Sequence, residues 1–231
     1  MPPLLGSEAK EFGAALVSLL RNDPSGFSKA SVGVLKQIAL TGSGEALLGA
    51  LQGLAALRKA AGIDPPARKL TDPERATLTR VYGDAIDYGK VEVSVVPKGL
   101  VGNDRAMAVG NSIFMPDGAA LDGFLATLVH ESAHVWQYQN GGPSYIAKAL
   151  KAQLLGDRSG PLKGYDFGAG VAAGKGWAQL SPEQQAHLVQ TAYQSGWFDH
   201  PDQSFTYDGK DFTALLRIGL EHIRSRDAVS Q

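Results

Sequence analysis

Three residues on one short stretch have the types and spacing for metal-assisted hydrolysis. In "LVHESAHVWQ" (128–137), His130 and His134 stand four apart, with Glu131 between them. On a helix, residues four apart share a face, so the two imidazoles point at one spot. Zinc accepts a neutral imidazole nitrogen at about 2.0–2.1 Å. Glu131 lies close enough to act as general base on the attacking water and then to hand the proton to the leaving group. A chain with five histidines and eight glutamates produces this pattern by chance on the order of a few times per thousand such chains, so the bare match needs support. It comes from a confidently helical context, from the small residues Ser132 and Ala133 in the gap, and from the strand-rich segment that precedes the helix.

A catalytic zinc usually takes three protein ligands and leaves one position open. The extended pattern with a third histidine six residues after the second fails, because that position is Asn140, and the expected glycine position is Gln137. The third ligand must come from further along the chain. Glu183 is the best candidate: it sits in the first turn of the helix begun by "SPEQQAH", where the helix dipole favours a carboxylate. His187, four residues later on the same face, is a candidate for a supporting partner, a substrate contact or the ligand itself. Asp166, Asp199 and His200 are weaker alternatives, and His222 reads as structural. Tyr165, Tyr193, His187 and His200 are the candidate donors to a developing oxyanion. Trp136 and Tyr138 read as packing residues, and Gln137 as one that orients a ligand or caps.

The elements that must position these residues are legible in part. Thr71 and Glu74 form a T-x-x-E capping box ahead of a helix ended by Gly83. "KVEVSVV" (90–96) alternates and is β-branched, which predicts a strand. "AMAVGNSIFM" (106–115) predicts two short strands around a turn at Gly110–Asn111. The motif helix is expected from Leu121 to Gln139, stopped by Asn140, Gly141, Gly142 and Pro143, with a further helix over 144–154. Residues 156–180 read as a loop. Ser181, Pro182 and Gln184 give a strong helix start, and Asp211 is expected to cap a last helix over 211–225. Before all of these, residues 7–62 read as three helices (7–20, 28–39 and 44–61), and "GIDPPARKL" reads as a linker. The expected organisation is an N-terminal helical region over 1–65 and an α+β domain over 66–231, with a small sheet and an active-site helix.

Composition narrows the chemistry. A hydrophobic content of 44% supports a buried core, and a net charge of −1 argues against nucleic acid or an anionic membrane surface as partner. With no cysteine, thiolate ligands, disulfides and a cysteine nucleophile are excluded. No basic segment followed by a long apolar run opens the chain, so no Sec signal is expected. The apolar stretch of 45–62 is too short to predict a transmembrane span.

The segments "GDAIDYGKVEV", "AVGNSIFMPDG", "LVHESAHVWQYQNGG", "YDFG" and "SPEQQAHLVQ", in that order, resemble a bacterial family of zinc metallopeptidase domains with an HExxHxWQ core. Its members occur beside Rhs- and VgrG-type secretion proteins and are related to the HExxH domain of extracellular contractile injection systems. The similarity covers residues 70–195 and leaves the first 65 outside. It implies a zincin-like fold, Zn2+ on His130, His134 and Glu183, and Glu131 as base. Glutamate-zincins often carry an acidic residue four positions after the glutamate ligand, where this chain has His187. The resemblance further implies a polypeptide substrate, a secretion-system component or cognate inhibitor as partner, and a bacterial cytoplasmic protein exported, where it is exported, by a non-Sec route. The competing expectations are a non-catalytic adaptor or cargo module on the same fold and a zinc amidase acting on peptidoglycan peptides.

Overall fold

In the computed structural model the described residues are 66–96, 106–116, 121–155 and 165–225, with isolated helical positions at 46, 49, 50, 52, 53, 56 and 57; for 96, 121–122 and 142–155 the backbone alone is described. The expected helices over 7–20 and 28–39 lie outside these residues. So does most of the helix expected over 44–61, and with them the N-terminal region of 1–65.

The architecture is a mixture of helices and small sheets. Helix α1 (Asp72–Tyr82) starts where the capping box predicts. Thr71 N–H donates to Glu74 Oε2 at 2.8 Å, Glu74 N–H reaches Thr71 Oγ1 at 3.4 Å, and Gly83 ends the helix with a φ of 60°. Glu74 is buried and also accepts both arms of the Arg68 guanidinium at 2.7 Å, which satisfies its charge. Strand β1 (Glu92–Val96) pairs parallel with β3 (Ser112–Pro116), and β2 (Met107–Val109) pairs antiparallel with β3, giving the order β1-β3-β2. The two-residue link between β2 and β3 is Gly110–Asn111, as predicted, and Gly110 takes the positive φ (65°) that the tight turn needs.

Helix α2 (Leu121–Leu155) carries the motif and is continuous. This corrects the expected stop at 140–143 and the separate helix over 144–154. A proline removes one amide donor and strains one turn, a cost that contacts elsewhere along the helix can offset. Here Gln139 accepts from Asp87 N–H at 2.7 Å and donates to Asn111 Oδ1 at 2.8 Å. Asn140 donates to Ala85 O at 3.2 Å and to Trp136 O at 2.9 Å. Immediately before the motif, the buried Tyr82 hydroxyl donates to Val129 O at 2.5 Å and ties α1 to α2.

The segment expected as a loop over 156–180 is partly helical. Within its described part, α3 (Phe167–Ala172) is capped by Asp166, whose Oδ1 accepts from Ala169 N–H at 3.0 Å, and a single 3-10 turn covers Trp177–Gln179. Helix α4 (Pro182–Gln194) begins at Ser181 with its full capping box. A short hairpin, β4 (Thr206–Tyr207) and β5 (Lys210–Asp211), turns on Asp208 and Gly209, both at positive φ. Helix α5 (Thr213–Arg224) starts two residues later than expected. Asp211 nevertheless accepts from Thr213 N–H at 2.8 Å. No described helix is long and apolar enough to cross a membrane.

The core joins Leu78 and Val81 of α1, Val93, Ile113 and Met115 of the sheet, Leu128, Val135 and Trp136 of α2, Leu188 and Val189 of α4, and Leu216, Leu220 and Ile223 of α5. Each such aliphatic side chain stabilises the fold by about 1.5–3 kcal/mol on burial. Arg224 at the end of α5 donates to Val81 O at 2.9 Å and Arg80 O at 2.9 Å, satisfying carbonyls at the end of α1. Trp177 packs directly on the backbone of α5: a Cβ on Gly219 would lie 2.5 Å from Trp177 Cε3.

That contact sets up an expectation opposite to helix propensity. Alanine is favoured over glycine inside a helix by about 1 kcal/mol, yet Gly219→Ala is expected to destabilise the protein by about 1–3 kcal/mol through overpacking against Trp177. Urea unfolding of the two proteins checks this, and a variant as stable as the parent or more so would mean that Trp177 yields freely.

Candidate metal centre

Helices α2 and α4 pack against each other, and their facing sides bring together His130 and His134 from one and Glu183 from the other. The two imidazole centroids are 5.2 Å apart with planes at 75°. His130 Nε2 is 3.2 Å from Glu183 Oε2, and His134 Nε2 is 3.4 Å from the same oxygen. The one ligating atom that each residue offers lies within 4.8 Å of the other two, and all three residues are buried. This is the convergence expected from the spacing of the histidines and from the place of Glu183 in a first helical turn.

The donor set fits a divalent cation. His130 Nδ1 lies 3.0 Å from Gln190 Oε1, and His134 Nδ1 lies 2.8 Å from Gln137 Oε1, so both Nε2 atoms face inward. His134 Nε2 and Glu183 Oε1 are buried without a hydrogen-bond partner among the described residues; the 3.4 Å approach of His134 to Glu183 is an ion-pair distance with no hydrogen-bond alignment. Orphaned polar atoms at this depth are costly, and an ion held by the three residues would satisfy both of them. Two nitrogens and a carboxylate suit zinc and its neighbours in the first transition row.

Without a metal, a proton takes part of the cation's place. Burial opposes charge on His134, but Glu183 outweighs it, through its charge and its contact, and raises the His134 pKa to about 9. Burial also opposes charge on Glu183, and the His134 and His130 rings overcome it and hold the carboxyl well below its usual range.

Glu131 is buried beside the cluster. Burial raises its pKa, against the pull of the His130 and His134 rings; the negative Glu183 adds to the rise, and a hydrogen bond from Ala108 N–H on β2 opposes it. Its Oε2 has no hydrogen-bond partner among the described residues. A carboxylate with a raised pKa, anchored by a backbone donor and with one unengaged oxygen, has the make-up of a general base.

The remaining expectations divide. Tyr165 is placed at the site, its ring 5.9 Å from that of His130. His187 lies one turn after Glu183, and its Nδ1 is 2.8 Å from Tyr165 O; its other neighbours are the Phe167 and Tyr207 rings, and it is not one of the converging ligands. Burial lowers its pKa. Tyr193 is half-buried against the core, and His200 is exposed and not one of the converging ligands. Asp199 pairs with Arg80, Asp166 caps α3, and the His222 ring meets Trp136 edge to face at 5.9 Å. Gln190 and the Ala108 amide escaped the sequence reading. Gln190 follows Glu183 by two helical turns, so the stripe Glu183, His187, Gln190 on one face was the available signal.

No protein-family model, no curated protein and no solved structure matches the chain.

The proton on His134 and a metal compete for one nitrogen. A group whose pKa rises from 6.5 in the unfolded chain to about 9 contributes stability fully below 6.5 and loses it as pH climbs through about 9. Glu131, also raised, acts in the same direction; the depressed Glu183 loses its contribution only well below 4.5, outside this window. Metal-free protein is therefore expected to become less stable from pH 6.5 to 9, while the stabilisation gained on adding zinc grows over the same interval. Thermal unfolding with chelator and with buffered zinc measures both, and a metal-free curve that is flat or rising there would count against the His134–Glu183 coupling.

Proposed function

We propose that the chain is a zinc-dependent hydrolase that cleaves amide bonds, with a polypeptide as substrate. The observation that carries this reading is the buried meeting of His130, His134 and Glu183 with Glu131 beside them, one oxygen of Glu131 tied to Ala108 and the other unengaged. His130, His134 and Glu183 would hold the zinc ion, which would supply Lewis acidity toward the scissile carbonyl and acidify water. Glu131 accepts a proton from the attacking water as its oxygen bonds to the carbonyl carbon. It returns that proton to the departing nitrogen as the carbon–nitrogen bond breaks. Tyr165, whose ring lies against His130, is the best-placed of the candidate residues for contact with the reacting group. The zincin-like assignment, and service as an effector or processing enzyme of a bacterial secretion system, rest on the resemblance of residues 70–195 and are part of the same proposal.

The depth of the cluster favours a second reading. His130, Glu131, His134 and Glu183 are each 7% exposed or less, and closed metal sites are commonly structural. In that case the domain is an adaptor braced by its ion. Glu131 discriminates between the two, since a brace gains nothing from an additional buried carboxylate with an unpartnered oxygen.

Glu131→Gln is expected to keep its zinc and its fold and to lose about 100- to 10,000-fold in kcat/KM; His134→Ala is expected to lose the metal as well. Metal content by plasma mass spectrometry, with turnover of a denatured-protein library and of purified peptidoglycan, reads all of these. Parent and Glu131→Gln behaving alike on every substrate would favour the structural ion, and cleavage confined to peptidoglycan would move the substrate class.

A further inference from the structure

Two buried amides fix the direction of hydrogen bonding around His134. Gln137 Nε2 lies 3.2 Å from Pro182 O, and Gln185 Nε2 lies 3.0 Å from Trp177 O. A backbone carbonyl only accepts, so each of these nitrogens must be the amide NH2, and each Oε1 must point the other way. Gln185 Oε1 therefore accepts from Gln137 Nε2 at 3.2 Å, and Gln137 Oε1 faces His134 Nδ1 at 2.8 Å. An amide oxygen has no proton to give. His134 must then carry hydrogen on Nδ1, which leaves Nε2 as the nitrogen that takes either a second proton or, on losing it, a metal between the histidines and Glu183.

The same amide also reaches the other ligand's helix. Pro182 is the first residue of α4 and immediately precedes Glu183. Through one side chain, fully buried at 0% exposure, the structure couples the tautomer of His134 to the seat of the carboxylate that completes the site. Gln190 Oε1 stands 3.0 Å from His130 Nδ1, the same kind of contact on the other imidazole.

We propose that Gln137 and Gln190 are the positioning residues of the metal centre, a neutral amide support that preorganises both imidazoles and, through Gln137, the start of α4. The proposal rests on the metal reading of His130, His134 and Glu183. Neither glutamine touches the reacting atoms. Their contribution is to metal affinity, because a ring free to turn or to change tautomer offers its lone pair only part of the time.

The test uses the full chain and zinc itself. Zinc affinity is measured by competition with a chromophoric chelator, and site geometry by the visible absorption of the cobalt-substituted protein. Gln137→Met and Gln190→Met preserve side-chain length and remove the hydrogen bonds. Each is expected to weaken zinc binding about 10- to 100-fold and to alter the cobalt spectrum. Gln139→Met is the control: its amide binds Asp87 and Asn111 and no histidine, so it is expected to lose thermal stability with zinc affinity and cobalt spectrum unchanged. Parental affinity in Gln137→Met, or in Gln190→Met where the first fails to fold, overturns the inference and leaves the metal centre standing. A parent chain that takes up no zinc overturns both.

Discussion

A carboxylate sealed between two imidazoles is the constraint from which the rest of this structure follows. Glu183 has almost no contact with solvent, and its Oε1 meets no donor among the described residues. An uncompensated charge in such a place costs several kcal/mol, a large share of a domain's whole stability. A proton on His134 answers part of that cost, but it leaves the geometry imperfect, with His134 Nε2 at 3.4 Å and out of hydrogen-bond alignment. A divalent cation, which these three residues could hold, would compensate the carboxylate more completely than a proton does.

The scaffold is arranged to keep that meeting point stiff. Helix α2 is held on one side of the motif by Tyr82 at Val129, and beyond it by Gln139 and Asn140, which grip the 85–87 turn and the β2–β3 hairpin. Helix α4 is held at its start by the Ser181 capping box and by Gln184, whose amide donates to Asp166 O at 2.9 Å. The Trp177 carbonyl receives Gln185, while its ring lies on Gly219 of α5. A chain of packed and hydrogen-bonded groups therefore runs from the last helix, through Trp177, Gln185 and Gln137, to His134.

What could be read in the sequence was local. The two histidines one turn apart, the capping boxes at Thr71 and Ser181 and the Gly110–Asn111 turn each depend on residues within about four positions, and each stands where the spacing put it. Glu183 was legible because a strong helix start fixed its position in the first turn. The end of α2 was misread because Asn-Gly-Gly-Pro is a persuasive stop signal on its own, and the contacts that override it come from residues more than 25 positions away. The β4–β5 hairpin had a sequence signal, Asp208-Gly209, with both residues at positive φ as a tight hairpin requires; its strands are two residues each, too short to show alternation. Gln190 and Ala108 could not be assigned, because an amide or a backbone N–H acquires a role only when the fold delivers something to it.

The charge balance of the centre connects the choice of supporting residues to the proposed chemistry. A divalent cation brings two positive charges into the buried space, and Glu183 and Glu131 supply two negative ones when both are ionised. The sum is zero only if the groups behind the histidines are neutral, and they are: Gln137 and Gln190 add none. Carboxylates in their places would leave the buried centre net negative and push the Glu131 pKa up further, toward the neutral acid. A base must be able to lose its proton before it can take one from water. The Ala108 N–H favours the charged form of Glu131 directly, and the neutral amides, unlike carboxylates in their places, add no charge that would oppose it.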